Sequence, residues 1–337
     1  MKRRIADKRY NAYLAGGRPQ HRPTTVAPPG LLAPLGDELA ASVARRTRHL
    51  ADTLAPLAGA PFFCRPGFIL YHGDCVAALE KIADRTAPVA LTVTSPPYNI
   101  GKDYEQKTAW HRFVDWCARW LGLVHRVTRE DGALWLNLGY FEVPGRGLCV
   151  PIAYLLWDQS DFYLLQEVVW HYSAGVTTRR RLSPRNEKWL FYVKNPGAYT
   201  FNLDDIRDPN VKYPNQKKNG RYRCHPLGKN PSDVWHYPKV TTGTKRSSRE
   251  RTAHPAQFPL GVVERIVRAS SNPGEVVLDP FAGACSTGIA ACGLGRIFVG
   301  FEIRRDYCEL SVERFRAFEN ERRRYADRRP GEAPAGG

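Results

Sequence analysis

What this chain lacks narrows it first. Its eight cysteines include no C-x-x-C pair, and a structural zinc site normally shows closely paired ligands. Cys224 beside His225 is the single Cys/His neighbour pair and has no second half. No metal is expected, and the thiols read as free and buried in a reducing compartment. No stretch approaches the roughly 18 uncharged apolar residues of a membrane span. The basic start MKRRIADKRY has no apolar run behind it, so it is not a secretory signal. The expectation is a cytoplasmic protein with no membrane partner. Neither the G-x-x-x-x-G-K-[ST] phosphate loop nor the G-x-G-x-x-G dinucleotide turn occurs, and there is no Pro-Cys dipeptide.

Acids are also scarce: 33 Asp and Glu stand against 50 Lys and Arg in 337 residues, a net charge of +17. Such an excess fits a polyanionic partner. It is concentrated, because residues 177–251 carry eighteen Lys and Arg against six Asp and Glu. Residues 1–62 read as a basic Pro/Gly-rich arm, with a possible helix in GDELAASVARRTRHLADTLA near Asp37.

From residue 63 the texture is α/β. FILYH, VALTVT, GALWLNLG, YLLQEVVWH and EKWLFYVK read as strands; CVAALEKIA, TAWHRFVDWCARWLGLVHRVT and VPIAYLLWDQS read as helices. Trp110, Phe113, Trp116 and Trp120 recur at helical spacing as a core-facing stripe. Residues 195–252 lose periodicity and fill with Asn, Pro, Tyr, Lys and Arg. The α/β pattern returns at 253–325, and 326–337 read as a disordered tail. Strands alternating with helices specify a doubly wound, mostly parallel sheet covered on both faces. The stretch 63–194 and the stretch 253–325 form its two parts, with 195–252 inserted as a basic lobe.

Two strand ends stand out. LTVTSPPYNIG ends a buried strand on Ser95, Pro96, Pro97 and Tyr98; two prolines cannot continue a central strand. VVLDPFAGACSTG runs from a strand through a tight turn of small residues into a helix. The next strand ends at Glu302, about twenty residues on, where an acid suits a ribose diol. In open α/β sheets ligands bind beyond the carboxyl ends of strands, so both corners are expected to open on one cleft.

Together the two corners resemble the amino-directed DNA methyltransferases, with the catalytic motif ahead of the cofactor motif as in the permuted, or beta, group. The resemblance covers roughly residues 67–320. It implies a seven-stranded Rossmann-like methyltransferase sheet, S-adenosyl-L-methionine as cofactor, and double-stranded DNA as partner. It implies a target-recognition role for residues 195–252. Carried over residue by residue, it makes Ser95, Pro96, Pro97 and Tyr98 the catalytic group. It makes Asp279, Pro280, Phe281, Ala282, Gly283, Ser286, Thr287 and Glu302 cofactor residues. HGDC adds Asp74, and HPAQFP adds His254 and Gln257; RNEKWLFYVK matches a family strand opening with an acid, here Glu187. The chain departs from the family turn F-x-G-x-G at Cys285; at φ > 0 a cysteine there costs about 1 kcal/mol.

The implied reaction is methyl transfer to an exocyclic amine of a flipped-out base. The Ser95 hydroxyl and Pro96 carbonyl accept its two N–H bonds, and Tyr98 offers a stacking face. Lack of Pro-Cys argues against cytosine C5 chemistry. Ser-Pro-Pro-Tyr goes with cytosine N4 in this family; adenine N6 is the alternative, and a catalytically inactive DNA-binding homologue a third. Arg179, Arg180, Arg181, Arg185, Lys217, Lys218, Arg221, Arg223, Lys245, Arg246, Arg249 and Arg251 are expected on DNA, mostly on phosphates. No nuclease motif is present, so a cognate restriction endonuclease would be a separate chain.

Overall fold

The computed structural model describes residues 27–83, 85–86, 88–102, 105–173, 177–240 and 250–327. In chain order the strands are β1 (Phe63–Arg65), β2 (Phe68–His72), β3 (Val89–Thr94), β4 (Thr128–Leu138), β5 (Tyr140–Val143), β6 (Gly147–Pro151), β7 (Tyr163–His171), β8 (Asn186–Val193), β9 (Lys217–Lys218), β10 (Arg221–Tyr222), β11 (Val234–His236), β12 (Val276–Asp279) and β13 (Ile297–Glu302). The helices are α1 (Pro29–Leu32), α2 (Asp37–Ala58), α3 (Cys75–Ile82), α4 (Trp110–Val127), α5 (Ala153–Leu156), α6 (Leu260–Ser270), α7 (Ser286–Gly293) and α8 (Arg305–Ala326).

The main sheet has the order β1-β2-β13-β12-β3-β4-β8-β7-β11. Parallel pairing runs from β2 through β13, β12 and β3 to β4. β8 opposes both of its neighbours, and β11 is parallel to β7. Every residue of β3, β12 and β13 is buried, as expected of parallel strands covered on both faces. Alternation along the strands sorts the core into two layers. Phe68, Leu70, Leu91 and Val93 pack with Leu31, Val263, Ile289 and Phe315, so α1, α6, α7 and α8 cover one face. Ile69, Tyr71 and Leu136 pack with Val43, Leu79, Trp120 and Leu156, so α2 to α5 cover the other.

The expected α/β doubly wound sheet is therefore present, with differences in detail. The sheet has nine strands rather than seven, since the short strands β1 and β11 extend its edges. Residues 27–58 are not part of a free arm: α1 and α2 bury Leu31, Leu32, Val43 and Leu54 against the domain. The 195–252 segment is not a wholly separate lobe, because β11 pairs in register with β7. The helix expected in VPIAYLLWDQS shrinks to Ala153–Leu156, its first residues being drawn into the β5–β6 hairpin. Of the aromatic stripe, Phe113 and Trp120 are buried but Trp110 begins the helix and is exposed. Five cysteines are buried; Cys64 and Cys149 are exposed and Cys224 is intermediate.

Candidate active site

The two corners meet because their strands are neighbours. β3 pairs with β12, and Thr94 Oγ1 donates to Asp279 Oδ1 at 2.7 Å, joining the end of one motif to the end of the other. Asp279 is buried, and burial pushes its carboxyl up to about 6 against the hydrogen bonds from Thr94 and the Phe281 amide. That amide lies 3.1 Å from Oδ1, so Asp279 shapes the turn that follows it.

The Ser95–Tyr98 corner is held by a directed chain of hydrogen bonds. Asn137, fully buried on β4, donates its Nδ2 to the Lys188 carbonyl at 3.2 Å. This orients Oδ1 as an acceptor, and Tyr98 Oη donates to it at 2.8 Å. With that proton committed, Ser95 Oγ donates to Tyr98 Oη at 3.0 Å. The Ser95 hydroxyl thus has its proton turned inward and its lone pairs left to accept. The Pro96 carbonyl receives no hydrogen bond among the described residues. The Tyr98 ring lies on Gly139, where an added Cβ would come within 2.7 Å of it. The chain beyond is braced as well. Asn99 sits at φ 58°, Glu105 accepts from the Asn99 and Ile100 amides, and Asn99 Oδ1 accepts from the Thr108 amide at 2.7 Å.

The second half of the site lies across β12, β13 and β2. Gly283, at φ 50°, donates its amide to Glu302 Oε2 at 2.9 Å, and Oε1 takes the Arg304 amide at 2.8 Å. A carboxylate has about four acceptor positions, so Glu302 retains capacity for a diol, although burial raises its pKa. His72 is in register with Glu302, and the Gly73 amide donates to the Glu302 carbonyl. Asp74 therefore follows directly beside Glu302, capping α3 through Val76 with one oxygen. Pro280 and Phe281 follow Asp279 in the turn, and Phe281 packs against Trp116 and Trp120 at ring distances of 5.6 and 5.2 Å. Ala282 donates its amide to Phe301 O.

His254 approaches the turn where Gly283 has no side chain; a Cβ there would stand 2.8 Å from Nε2. Burial, reinforced by Arg314 and Arg304, pushes the imidazole down to about 4. It is neutral near pH 7, and Nδ1 accepts from the Ala256 amide. Gln257, expected beside it, uses its Oε1 on Thr252 and its Nε2 on the Glu250 carbonyl, so it clamps its own loop. Ser286 donates to Phe258 O, and Thr287 donates to Val93 O. Both hydroxyls tie α7 to neighbouring backbone. Cys285 stands at φ 53°, the conformation that makes its presence costly, and burial holds its thiol protonated.

Arg179, Arg180, Arg181, Lys217, Lys218, Arg221 and Arg223 are exposed and have no acidic partner among the described residues. Arg185 and Arg251 are half-buried. Lys245, Arg246 and Arg249 lie outside the described residues. Sequence reasoning missed Asn137, although a lone amide inside the apolar strand LWLNL was its signal. It also missed Arg314, buried and donating to Ala284 O and Ser286 Oγ under the turn.

The donor set fits S-adenosylmethionine: an acid with spare acceptor positions at one strand end, a second acid beside it, and a turn open at Gly283. The DNA methylase family model, which spans N6- and N4-directed enzymes, matches residues 89–313. The chain belongs to that family. The methylase is 54% identical over 269 residues to the type II methyltransferase M.ScaI of Streptomyces caespitosus, covering 80% of this chain and 88% of that one. It is 34% identical over 259 residues to the DNA adenine methyltransferase YhdJ of Escherichia coli strain K12, covering 73% and 81%. Among solved structures it resembles the PvuII DNA methyltransferase (cytosine-N4-specific), with TM-score 0.57 and 18% identity over 79% of this chain and 94% of that one. It also resembles a DNA modification methylase of Thermus thermophilus complexed with S-adenosyl-L-methionine, with TM-score 0.51, 25% identity and coverage of 75% and 95%. The methylase uses S-adenosylmethionine as methyl donor and DNA as substrate. Among its described residues no helix is long and apolar enough to cross a membrane.

Proposed function

We propose that this methylase modifies the exocyclic N4 of cytosine at a specific site in duplex DNA, within a restriction–modification setting in which any endonuclease is a separate chain. The observation that carries the reading is the direction of the Asn137–Tyr98–Ser95 chain. An exocyclic amine is a weak nucleophile because its lone pair is delocalised into the ring. Two acceptors aimed at its N–H bonds draw the nitrogen toward a tetrahedral shape and free that pair. Ser95, with its proton held inward, is one acceptor; the Pro96 carbonyl, fixed by the Pro-Pro backbone, is the other.

S-adenosylmethionine, when bound, supplies the electrophilic methyl group. Asp74, Glu302, His254 and the turn at Gly283 are the residues that would hold it. The protein's own contribution is placement and fixed dipoles, which need no reorganisation as charge develops. Tyr98, resting on Gly139, gives the target base a ring to lie on once it has left the duplex. The methylated nitrogen then loses its proton to water, and no covalent enzyme intermediate is formed.

The choice of cytosine rests on Ser95, since the family's adenine members usually carry Asp at that position. The test is mass spectrometry of nucleosides from DNA methylated by the purified protein. N4-methylcytosine supports the assignment; N6-methyladenine refutes it while leaving the fold and donor unchanged.

A further inference from the structure

Leu182 is the most exposed large apolar side chain among the described residues, at 94%; the next, Tyr154, is at 68%. A solitary exposed leucine is ordinary on a protein surface, so exposure alone carries nothing. Its setting does. Residues 177–186, TTRRRLSPRN, hold four arginines and no acid, and Leu182 follows directly on Arg179, Arg180 and Arg181, all exposed.

The segment is braced. Thr178 N donates to Ser183 Oγ at 3.1 Å, Thr178 Oγ1 donates to Arg181 O, and Tyr172 N donates to Arg185 O at 2.9 Å. Arg181 Nη1 lies 3.0 Å from Cys149 Sγ on the β5–β6 hairpin. These contacts clasp the residues on both sides of Leu182 and leave its side chain in solvent.

The segment also stands beside the reacting corner. It leads into β8, which pairs with β4, which pairs with β3. Two strand spacings, about 10 Å, separate β8 from β3; the end of β3 at Thr94 is level with Leu190, and Asn186 lies four residues further toward the cleft end of the sheet. Lys188 holds Asn137, and Asn186 Oδ1 accepts from Tyr140 Oη at 2.6 Å, so both sides share one rim. Leu182 lies four residues before Asn186, a reach of at most about 14 Å.

A base that turns out of a duplex leaves a gap walled by the apolar faces of its neighbours. An aliphatic side chain fits that gap, and apolar side chains, leucine among them, insert between base steps in DNA-bending proteins. The arginines beside it match the phosphates on either side. We propose that Leu182 is the wedge that enters the DNA stack at the target and occupies the place of the departing base. This rests on the base being flipped for methylation, and it adds a positioning residue outside the catalytic corner.

The test uses the full-length protein and two 30-bp duplexes carrying the methylated site, one fully paired and one with an abasic position opposite the target base. Single-turnover methyl transfer is measured for the wild type, Leu182→Ala and Leu182→Met. Leu182→Ala is expected to lose at least tenfold in rate on the paired duplex and less than threefold on the other, where the base is already released. Leu182→Met should restore most of the loss. No charge is removed, so the salt dependence of DNA binding should not move. Equal rates for wild type and Leu182→Ala on the paired duplex, or equal losses on both duplexes, would overturn the proposal. The target is whichever base the wild type methylates, so an adenine product refutes the cytosine assignment without altering this test.

Discussion

Replacing Tyr98 with phenylalanine keeps the ring on Gly139 and removes one oxygen from the middle of the Ser95–Tyr98–Asn137 chain. Two effects follow. Asn137 is fully buried, and its Oδ1 loses the donor at 2.8 Å; an orphaned buried acceptor costs about 1–3 kcal/mol of stability. Ser95 loses the acceptor at 3.0 Å that turns its proton inward. Its hydroxyl is then free to rotate and meets the amine as donor as often as acceptor. A neutral hydrogen bond contributes about 1 kcal/mol net, which corresponds to roughly a fivefold change in rate. Urea unfolding should therefore report a loss of about 1–3 kcal/mol, and single-turnover methyl transfer a fall of about fivefold, with DNA affinity unchanged. A cycle with Asn137→Ala separates the two effects. The stability cost of Tyr98→Phe should largely vanish in the Asn137→Ala background, where no acceptor is left to orphan, whereas the rate should stay low. Wild-type rate and stability in Tyr98→Phe would refute the chain as drawn.

Three further outcomes follow from the same geometry. Gly139→Ala puts a Cβ 2.7 Å from the Tyr98 ring, so it should displace the ring and slow transfer more than it weakens DNA binding, as a comparison of single-turnover rates and binding isotherms would show. Asp279→Asn tests the buried carboxyl. Its folded value is raised to about 6 from 3.8, so the bound proton favours the fold; that contribution is full below pH 4 and is lost as pH rises through 6. In unfolding melts the wild type should therefore lose stability relative to Asp279→Asn across that window, by about 3 kcal/mol in all, with a flat difference above it; a gain with rising pH contradicts this. At Cys285, glycine relieves about 1 kcal/mol of left-handed backbone strain but removes a buried side chain worth about 1–2 kcal/mol. Melts of Cys285→Gly should thus lie within about 1 kcal/mol of wild type, while Cys285→Val, β-branched at φ 53°, should cost more than about 2 kcal/mol.

Both corners of the site were legible because each ends an apolar run on residues that cannot continue a strand. The strand FILYH was legible from its apolar run, and the structure pairs it with Ile297–Glu302. Three kinds of feature were not. Val234–His236 is a three-residue strand among Asn, Pro and Lys, and only its tertiary register with Val169–His171 makes it one. The docking of α2 could not be read from its pattern, because its buried face, Val43, Thr47, Leu50 and Leu54, is narrow beside Arg45, Arg46 and Arg48. The roles of Ser286, Thr287 and Gln257 could not be read from motif position, since hydroxyls and amides serve a ligand or a neighbouring backbone equally well. Here they bond to Phe258, Val93 and Glu250.

The account turns on Ser95 as an acceptor for the target amine. Its most direct test is single-turnover methyl transfer by Ser95→Ala, with DNA binding measured in parallel. Loss of one preorganised polar partner in an active site lowers the rate by about 10²–10³ in comparable cases. The expected result is a fall of that order with DNA affinity within twofold of wild type. Transfer by Ser95→Ala at the wild-type rate would contradict the account.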